Sequence, residues 1–351
     1  MPTAIPLSVI VPTRNRADSL QGTLADLQQL ASNHFEVLIV DNGSTDQTPQ
    51  IATRFCSDSR FKTIVEPIPG LLAGRHRGAA EAQHDILVFL DDDVALGPDW
   101  LTSLMLVFDD ADVVLAGGPS VPLFESPPPA WLQPFWQTPP SGGRMMTQLS
   151  LLELATEKPI EVDPGLIWGL NYAIRRSTLM DCGGFHPDCV PAALQYFQGD
   201  GETALSVAIG KTSGKVIYHP GAKVLHRIAP ERMTHEYFDQ RYFYQGVCDS
   251  FTKARDNPSE MVRPVQQPGV AGRLTDAMRR LKNAVFASPD EHSELNERFR
   301  RSYERGFEFH QKCMAISPAI QSWVTKENYF DYQYPALEAN VVLPTRQVHD
   351  S

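Results

Sequence analysis

Three consecutive carboxylates, Asp91-Asp92-Asp93, stand directly behind the apolar run Ile86–Leu90. Neighbouring carboxylates repel one another, and at the end of a buried strand a divalent cation is the best neutraliser. Mg2+ and Mn2+ prefer oxygen ligands and commonly take one or two protein carboxylates together with substrate phosphates. The ordinary alternative is a solvated acidic loop, such as Asp109-Asp110 further on. Two more polar clusters follow apolar runs: Thr13-Arg14-Asn15 after Leu7–Val11, and Asp41-Asn42-Gly43-Ser44-Thr45-Asp46 after Phe35–Val40. Taken alone, the second is a turn with Ser44 or Thr45 capping a helix. Asp41 also offers acceptor oxygens to the N–H of a pyrimidine base. Gly70, Gly74 and Gly78 would let a helix lie close to a strand or a ligand, and Arg75 and Arg77 on it read as surface charges. No GxGxxG follows the first strand, and neither GxxxxGK[ST] nor GxSxG occurs. A hydride-transfer Rossmann domain, a P-loop and a nucleophile elbow therefore lack their signatures.

The elements that must position these clusters alternate. Strands are expected at Leu7–Val11, Phe35–Val40, Phe61–Val65, Ile86–Leu90 and Val113–Ala116. Between them, Leu20, Leu24, Leu27 and Leu30 recur at helical spacing behind a capping Asp18, a second helix runs from Thr45 through Phe55, and a third covers Gly70–Gln83. Pro98 opens a helix carrying Trp100, Leu104 and Phe108. This order predicts an α/β fold with a mostly parallel, Rossmann-like sheet covered by helices, whose ligands bind outside the carboxyl ends of the strands. The pattern breaks at Pro119–Pro140, a proline-rich stretch with Trp131 and Trp136 that reads as a long loop, a wall or lid for an acceptor or an anchor to the core. A strand at Leu166–Ile174, a helix at Glu202–Gly210, short strands at Lys215–His219 and Ala222–His226, and a helix at Met233–Phe251 follow. Asn257–Gly269 reads as a linker, and Arg273–Phe286 and Ser293–Ile316 as appended helices.

Composition bounds the reading. The 351 residues are 42% hydrophobic and 21% charged, which fits one large globular domain with an appendage. A net charge of −11 excludes a surface that grips nucleic acid along its length. No apolar run reaches transmembrane length. Five dispersed cysteines without a CxxC pair, and no basic-then-apolar leader, point to reduced thiols and a cytoplasmic location.

Together the segments resemble the nucleotide-sugar-dependent glycosyltransferases of family 2, which have the GT-A fold. The resemblance rests on Val9–Arg16, Val40–Asp46, Gly70–Gly78, Phe89–Asp93 as a DxD element, Asn171–Arg175, Gly183-Gly184-Phe185, Gly199–Thr203, and Tyr218-His219-Pro220 through His226. It covers roughly residues 5–250. It implies a GT-A domain over residues 1–255, with a donor half at 1–118 and an acceptor half at 119–255, and a linker with helical appendage at 256–351. Pro12, Thr13, Arg14, Asn15, Asp41, Asn42, Gly43, Ser44, Gly70, Arg75, Asp91 and Asp92 would bind the donor. Thr13 and Asp41 would meet the base, Asp91 the ribose, and Arg75 the nucleoside or diphosphate. Asp93 would hold Mn2+ or Mg2+, and His226 would complete the metal or phosphate site, unless it is simply a satisfied histidine at a strand end.

The family places its base at the start of the helix after GGF, often in an ED pair. Here the segment reads Gly199-Asp200-Gly201-Glu202, so the pair is split. Glu202 takes the base's slot, with Asp200 as the alternative; both would also suit a helix N-terminus on dipole grounds. The implied activity is an inverting, metal-dependent, non-processive transfer from a nucleoside-diphosphate sugar, with a UDP-sugar favoured, to a saccharide, a lipid-linked acceptor or a small molecule. The QxxRW motif of processive members is missing. The competing readings are a nucleotidyltransferase and a catalytically silent nucleotide-sugar binder. The basic residues Arg273, Arg279, Arg280 and Lys282 beside an apolar helix face add peripheral association with the inner face of the membrane as a further alternative.

Overall fold

The structure, a computed structural model, describes residues 5–258, 291–330 and 333–337. The first seven elements alternate as their periodicity predicts: β1 (Leu7–Thr13), α1 (Ala17–Gln29), β2 (Phe35–Asp41), α2 (Thr48–Phe55), β3 (Phe61–Val65), α3 (Leu71–Glu81) and β4 (Ile86–Leu90). Every residue of β1 and β4 is buried, as expected of apolar strands covered on both faces. Then follow β5 (Val94–Leu96), α4 (Trp100–Val107), β6 (Val113–Gly117), β7 (Ser120–Phe124), β8 (Gly143–Met146), β9 (Leu151–Leu154), β10 (Ile160–Glu161) and β11 (Asn171–Arg175). The remaining elements are α5 (Arg176–Asp181), α6 (Thr203–Ile209), β12 (Lys215–Tyr218), β13 (Val224–Ile228), α7 (His235–Asp256), α8 (Glu291–Ile316) and α9 (Pro318–Val324).

The main sheet has eight strands in the order β10-β12-β6-β11-β4-β1-β2-β3. β1, β2, β3 and β4 run parallel, while β11 is inserted antiparallel between β4 and β6. Apolar clusters cover both faces. Helix α3 lies tight on β1: a Cβ on Gly78 would stand 2.3 Å from Ile10 Cγ2, so only glycine allows that approach.

A second sheet, β5-β13-β7-β9-β8, occupies part of the region read as loop. Its short strands escape periodicity, and Pro122 within β7 argues against a strand until pairing with β9 is seen to end at Ser120. The remainder of Pro119–Pro140 includes a 3-10 turn at Ala130–Phe135. Trp131 packs edge-on against Phe135 and Phe238, at 5.8 and 5.0 Å, and Arg144 stacks over Trp136 at 5.0 Å. Trp131 thus helps fasten the segment to α7.

Other boundaries move for local reasons. Helix α2 begins at Thr48 rather than Thr45, because the Thr45 N–H donates to Asn15 Oδ1 at 2.7 Å and the Thr48 N–H to Asp46 Oδ1 at 2.9 Å. The segment before β11 is a 3-10 turn closed by Gly165 N–H on Asp163 Oδ1, not continuous strand. Helix α7 starts at His235, capped by the Thr234 hydroxyl.

The C-terminal helices share the apolar core of the main sheet through Phe309, Met314, Ile320, Trp323 and Tyr329. Trp323 Nε1 donates to Phe197 O at 2.9 Å, and Tyr334 Oη to Pro69 O at 2.8 Å. The basic stretch Arg273–Phe286 and residues 259–269 of the linker lie outside the described residues. Among the described residues, no helix is long and apolar enough to cross a membrane.

Candidate active site

Register brings the polar clusters together. β1 and β2 end side by side, with Thr13 opposite Asp41. β11 runs opposite to β4, so its start lies beside the end of β4, with Asn171 opposite Leu90. The Asp91 N–H therefore meets Leu170 O at 3.2 Å, and Gly169 borders the aspartates. β13 pairs with β5 and sets His226 opposite Val94; the Arg227 N–H donates to Asp93 O at 2.8 Å.

The three aspartates have different surroundings. Asp92 accepts from Thr13 Oγ1 at 2.6 Å and pairs with Arg16 Nε at 2.8 Å. Burial pushes its pKa up to about 7 against the pull of Arg16. Its oxygens are used inside the protein. Asp93 Oδ2 receives Arg16 Nη2 at 2.6 Å and Arg232 Nη1 at 2.8 Å. Burial alone would raise the Asp93 pKa, but the charges of Arg16 and Arg232 pull against it, and the carboxyl is held well below its usual range. The Asp91 side chain remains more than a third exposed and faces Arg75 Nη2 at 3.8 Å.

The fit to a divalent cation can be read from two atoms. Asp93 Oδ1 is buried without a hydrogen bond, and His226 Nε2 lies 3.4 Å from it. His226 Nδ1 contacts Leu149 O at 2.9 Å, and a carbonyl can only accept, so Nδ1 carries the proton. Nε2 then accepts from Arg232 Nη1 at 2.8 Å and is the nitrogen with a lone pair to give. An anionic oxygen and an imidazole nitrogen can ligate a divalent transition ion such as Mn2+ and suit Mg2+ less well, and the guanidinium of Arg232 stands where a cation is wanted. Among the described residues no group of three or more such side chains converges. Further ligands would be substrate phosphates or water, as these ions prefer.

At the ends of β1 and β2, Asp41 is buried and accepts from Ser44 N at 2.9 Å. Asn15, at φ 52°, and Ser44 tie the two loops together: the Asn15 N–H donates to Ser44 Oγ at 3.0 Å. Asn42 is an internal brace, its amide donating to Glu66 O and Ile68 O and accepting from Gly70 N at 2.9 Å. Gly43, at φ 72°, turns the loop, and Arg14 is exposed at its edge. Pro12 is buried under α3, 3.0 Å from where a Gly74 Cβ would stand.

The two candidate bases separate cleanly. The Asp200 side chain is 1% exposed and bonded to Arg255 Nη1 at 2.6 Å, Thr252 Oγ1 at 2.7 Å and His186 Nδ1 at 2.8 Å. It fastens α7 to the loop and has no access to a substrate. Glu202 precedes α6 with its side chain 29% exposed. Its Oε1 accepts from Gly169 N at 3.1 Å, while Oε2 lies 3.7 Å from Arg75 Nη1 and is left open. Through Arg75 and Gly169 the Glu202 carboxylate belongs to the same site as Asp91.

Sequence reasoning assigned no role to Arg16, Gly169 or Arg232. The first lies inside the quoted Val9–Arg16 segment, but nothing in its spacing announces that it would join Arg232 on one carboxylate.

The family description "Glycosyl transferase family 2" matches residues 8–156, the span that holds β1 to β4 and the aspartates. Over these residues the chain is similar to that family. Glycosyltransferase AglE of Haloferax volcanii is 34% identical over 116 residues, 32% of this chain and 38% of that protein. A validoxylamine A glucosyltransferase of Streptomyces hygroscopicus subsp. jinggangensis is 37% identical over 103 residues, 28% of this chain and 24% of its own length. The chain thus spans well under half the length of these curated relatives. Among solved structures, the mannosyltransferase PcManGT from Pyrobaculum calidifontis, in complex with GDP-Man and Mn2+, superposes with a TM-score of 0.53. It is 18% identical and covers 90% of this chain and 87% of its own. That likeness establishes the GT-A fold.

Proposed function

We propose that this chain is a metal-dependent, inverting glycosyltransferase that moves one sugar from a nucleoside-diphosphate donor to an acceptor hydroxyl. The observation that carries the reading is the single cluster in which Asp91, the Asp93–His226 pair and the half-exposed Glu202 meet at the carboxyl ends of β1, β2 and β4. The loops Pro12–Asn15 and Asp41–Ser44, with Gly70, form the nucleoside end. A base bound there has Asp41 as its acceptor, and Asp91 is the exposed carboxylate for the ribose.

Asp93 Oδ1 and His226 Nε2 would hold the cation. When bound, Mn2+ or Mg2+ neutralises charge on the departing diphosphate. Arg16 and Arg232 bring positive charge to the same end. Gly169 N–H holds Glu202 Oε1, and Oε2 takes the proton of the attacking hydroxyl. Attack from the face opposite the diphosphate inverts the anomeric centre. PcManGT, solved with GDP-Man and Mn2+, supports the choice of donor class and metal.

The test uses slow donor hydrolysis, with water standing in for the acceptor. Glu202→Gln should reduce nucleoside-diphosphate release by about 10²–10⁴ while donor affinity stays within about three-fold. Full release by Glu202→Gln would refute its role. A donor that binds the wild-type protein without turnover would favour the silent binder, and consumption of sugar 1-phosphate with NTP the nucleotidyltransferase.

A further inference from the structure

Arg75 was expected at the nucleoside or diphosphate, yet its guanidinium is turned elsewhere. It is 3% exposed, donates from Nη2 to Gly169 O at 3.1 Å, and lies over the Phe185 ring at 4.8 Å. Its Nε is buried without an acceptor. Nη1 stands 3.7 Å from Glu202 Oε2 and Nη2 3.8 Å from Asp91 Oδ1, so it hydrogen-bonds neither carboxylate and serves both by charge. Gly169 completes the arrangement, with its N–H on Glu202 and its carbonyl on Arg75. A Cβ there would lie 2.5 Å from Arg75 Nη2 and 3.1 Å from Glu202 Oε1.

We propose that Arg75 is a positioning residue for Glu202, fixed by Phe185 and Gly169 between the donor-side Asp91 and the acceptor-side base, and not a contact of the donor. The proposal rests on Glu202 as base. A guanidinium clamped from its face by a ring and from its edge by a carbonyl does not swing toward an incoming diphosphate. Its charge holds two carboxylates that would otherwise repel one another, and keeps Oε2 aimed into the cleft. Lysine would keep the charge and lose the planar fork.

The experiment compares wild type, Arg75→Gln, Arg75→Lys, Glu202→Gln and the Arg75→Gln/Glu202→Gln double variant. It measures kcat for Mn2+-dependent donor turnover and donor Kd by calorimetry. Arg75→Gln should lower kcat by about 30-fold or more with Kd within about three-fold, and Arg75→Lys should recover part of kcat. On the Glu202→Gln background, Arg75→Gln should cost less than about three-fold, because the group it positions is gone. Gly169→Ala, whose Cβ would crowd both the guanidinium and Glu202 Oε1, should lower kcat with Kd within about three-fold and serves if Arg75→Gln folds poorly. A Kd weakened by the same factor as kcat, or full additivity in the double variant, would overturn the proposal. Wild-type kcat in Glu202→Gln would instead overturn the base itself, and the proposal with it.

Discussion

Replacing Asp200 by asparagine should damage stability far more than chemistry. The carboxylate lies on the loop before α6 and receives Arg255, Thr252 and His186, all within 2.6–2.8 Å. Its side chain is 1% exposed and that of Arg255 is 16% exposed. Removing one partner of a buried ion pair costs about 3–5 kcal/mol, because the other charge stays buried. Asparagine retains a carbonyl acceptor for Arg255 and Thr252, which favours the lower end, about 3 kcal/mol. For a chain of this length 1 kcal/mol corresponds to somewhat under 2 °C, so the melting temperature should fall by about 5 °C. Glu202→Gln, half-exposed and with one hydrogen bond, should leave it within about 1 °C. Scanning calorimetry reads the first effect. Donor hydrolysis well below the transition reads the second, where Asp200→Asn should lose less than about ten-fold. An Asp200→Asn protein with wild-type melting temperature and a turnover loss exceeding that of Glu202→Gln would refute the separation of the two residues into brace and base.

Asp93→Asn should abolish the Mn2+-dependent part of nucleotide binding, whereas Asp92→Asn should retain it, since Asp92 is spent on Arg16 and Thr13; calorimetry with and without Mn2+ distinguishes them. Burial lowers the pKa of both His76 and His310 to about 3, so each is folded in its neutral form and protonates more readily when unfolded. The stability they allow is present above the unfolded value near 6.5 and drains as pH falls below it, by about 2 kcal/mol per histidine at pH 5. Urea denaturation at pH 7.5 and pH 5 should show this loss, and His310→Gln should flatten it; an unchanged slope would contradict it. Trp131→Ala should lower stability by about 2–3 kcal/mol with kinetics unchanged, whereas a raised acceptor KM at wild-type stability would restore the acceptor-wall reading.

The first half of the main sheet was legible because β1, β2 and β4 are apolar runs broken only by Ser8 and Glu36, and each ends abruptly in polar residues. The DxD cluster was legible for the same reason. The second sheet was not: β5 has three residues, β7 contains Pro122, and β8 and β9 have four each, too short for a period to show. Asp200 and Glu202 look alike in sequence, because both suit a helix N-terminus. Only the arrival of Arg255 and Thr252 from α7 separates them. Arg16 and Arg232 meet on Asp93 from distant parts of the chain, and Asn42 becomes a brace through carbonyls of Glu66 and Ile68. These are tertiary coincidences with no local pattern.

The most direct test is nucleoside-diphosphate release from a panel of UDP- and GDP-sugars, with and without Mn2+, by wild type and Asp93→Asn. The account predicts at least one donor whose turnover requires Mn2+ in the wild type and is lost in Asp93→Asn, with the released sugar inverted at its anomeric carbon by NMR. Metal-independent release, retention of configuration, or equal turnover by Asp93→Asn would contradict it.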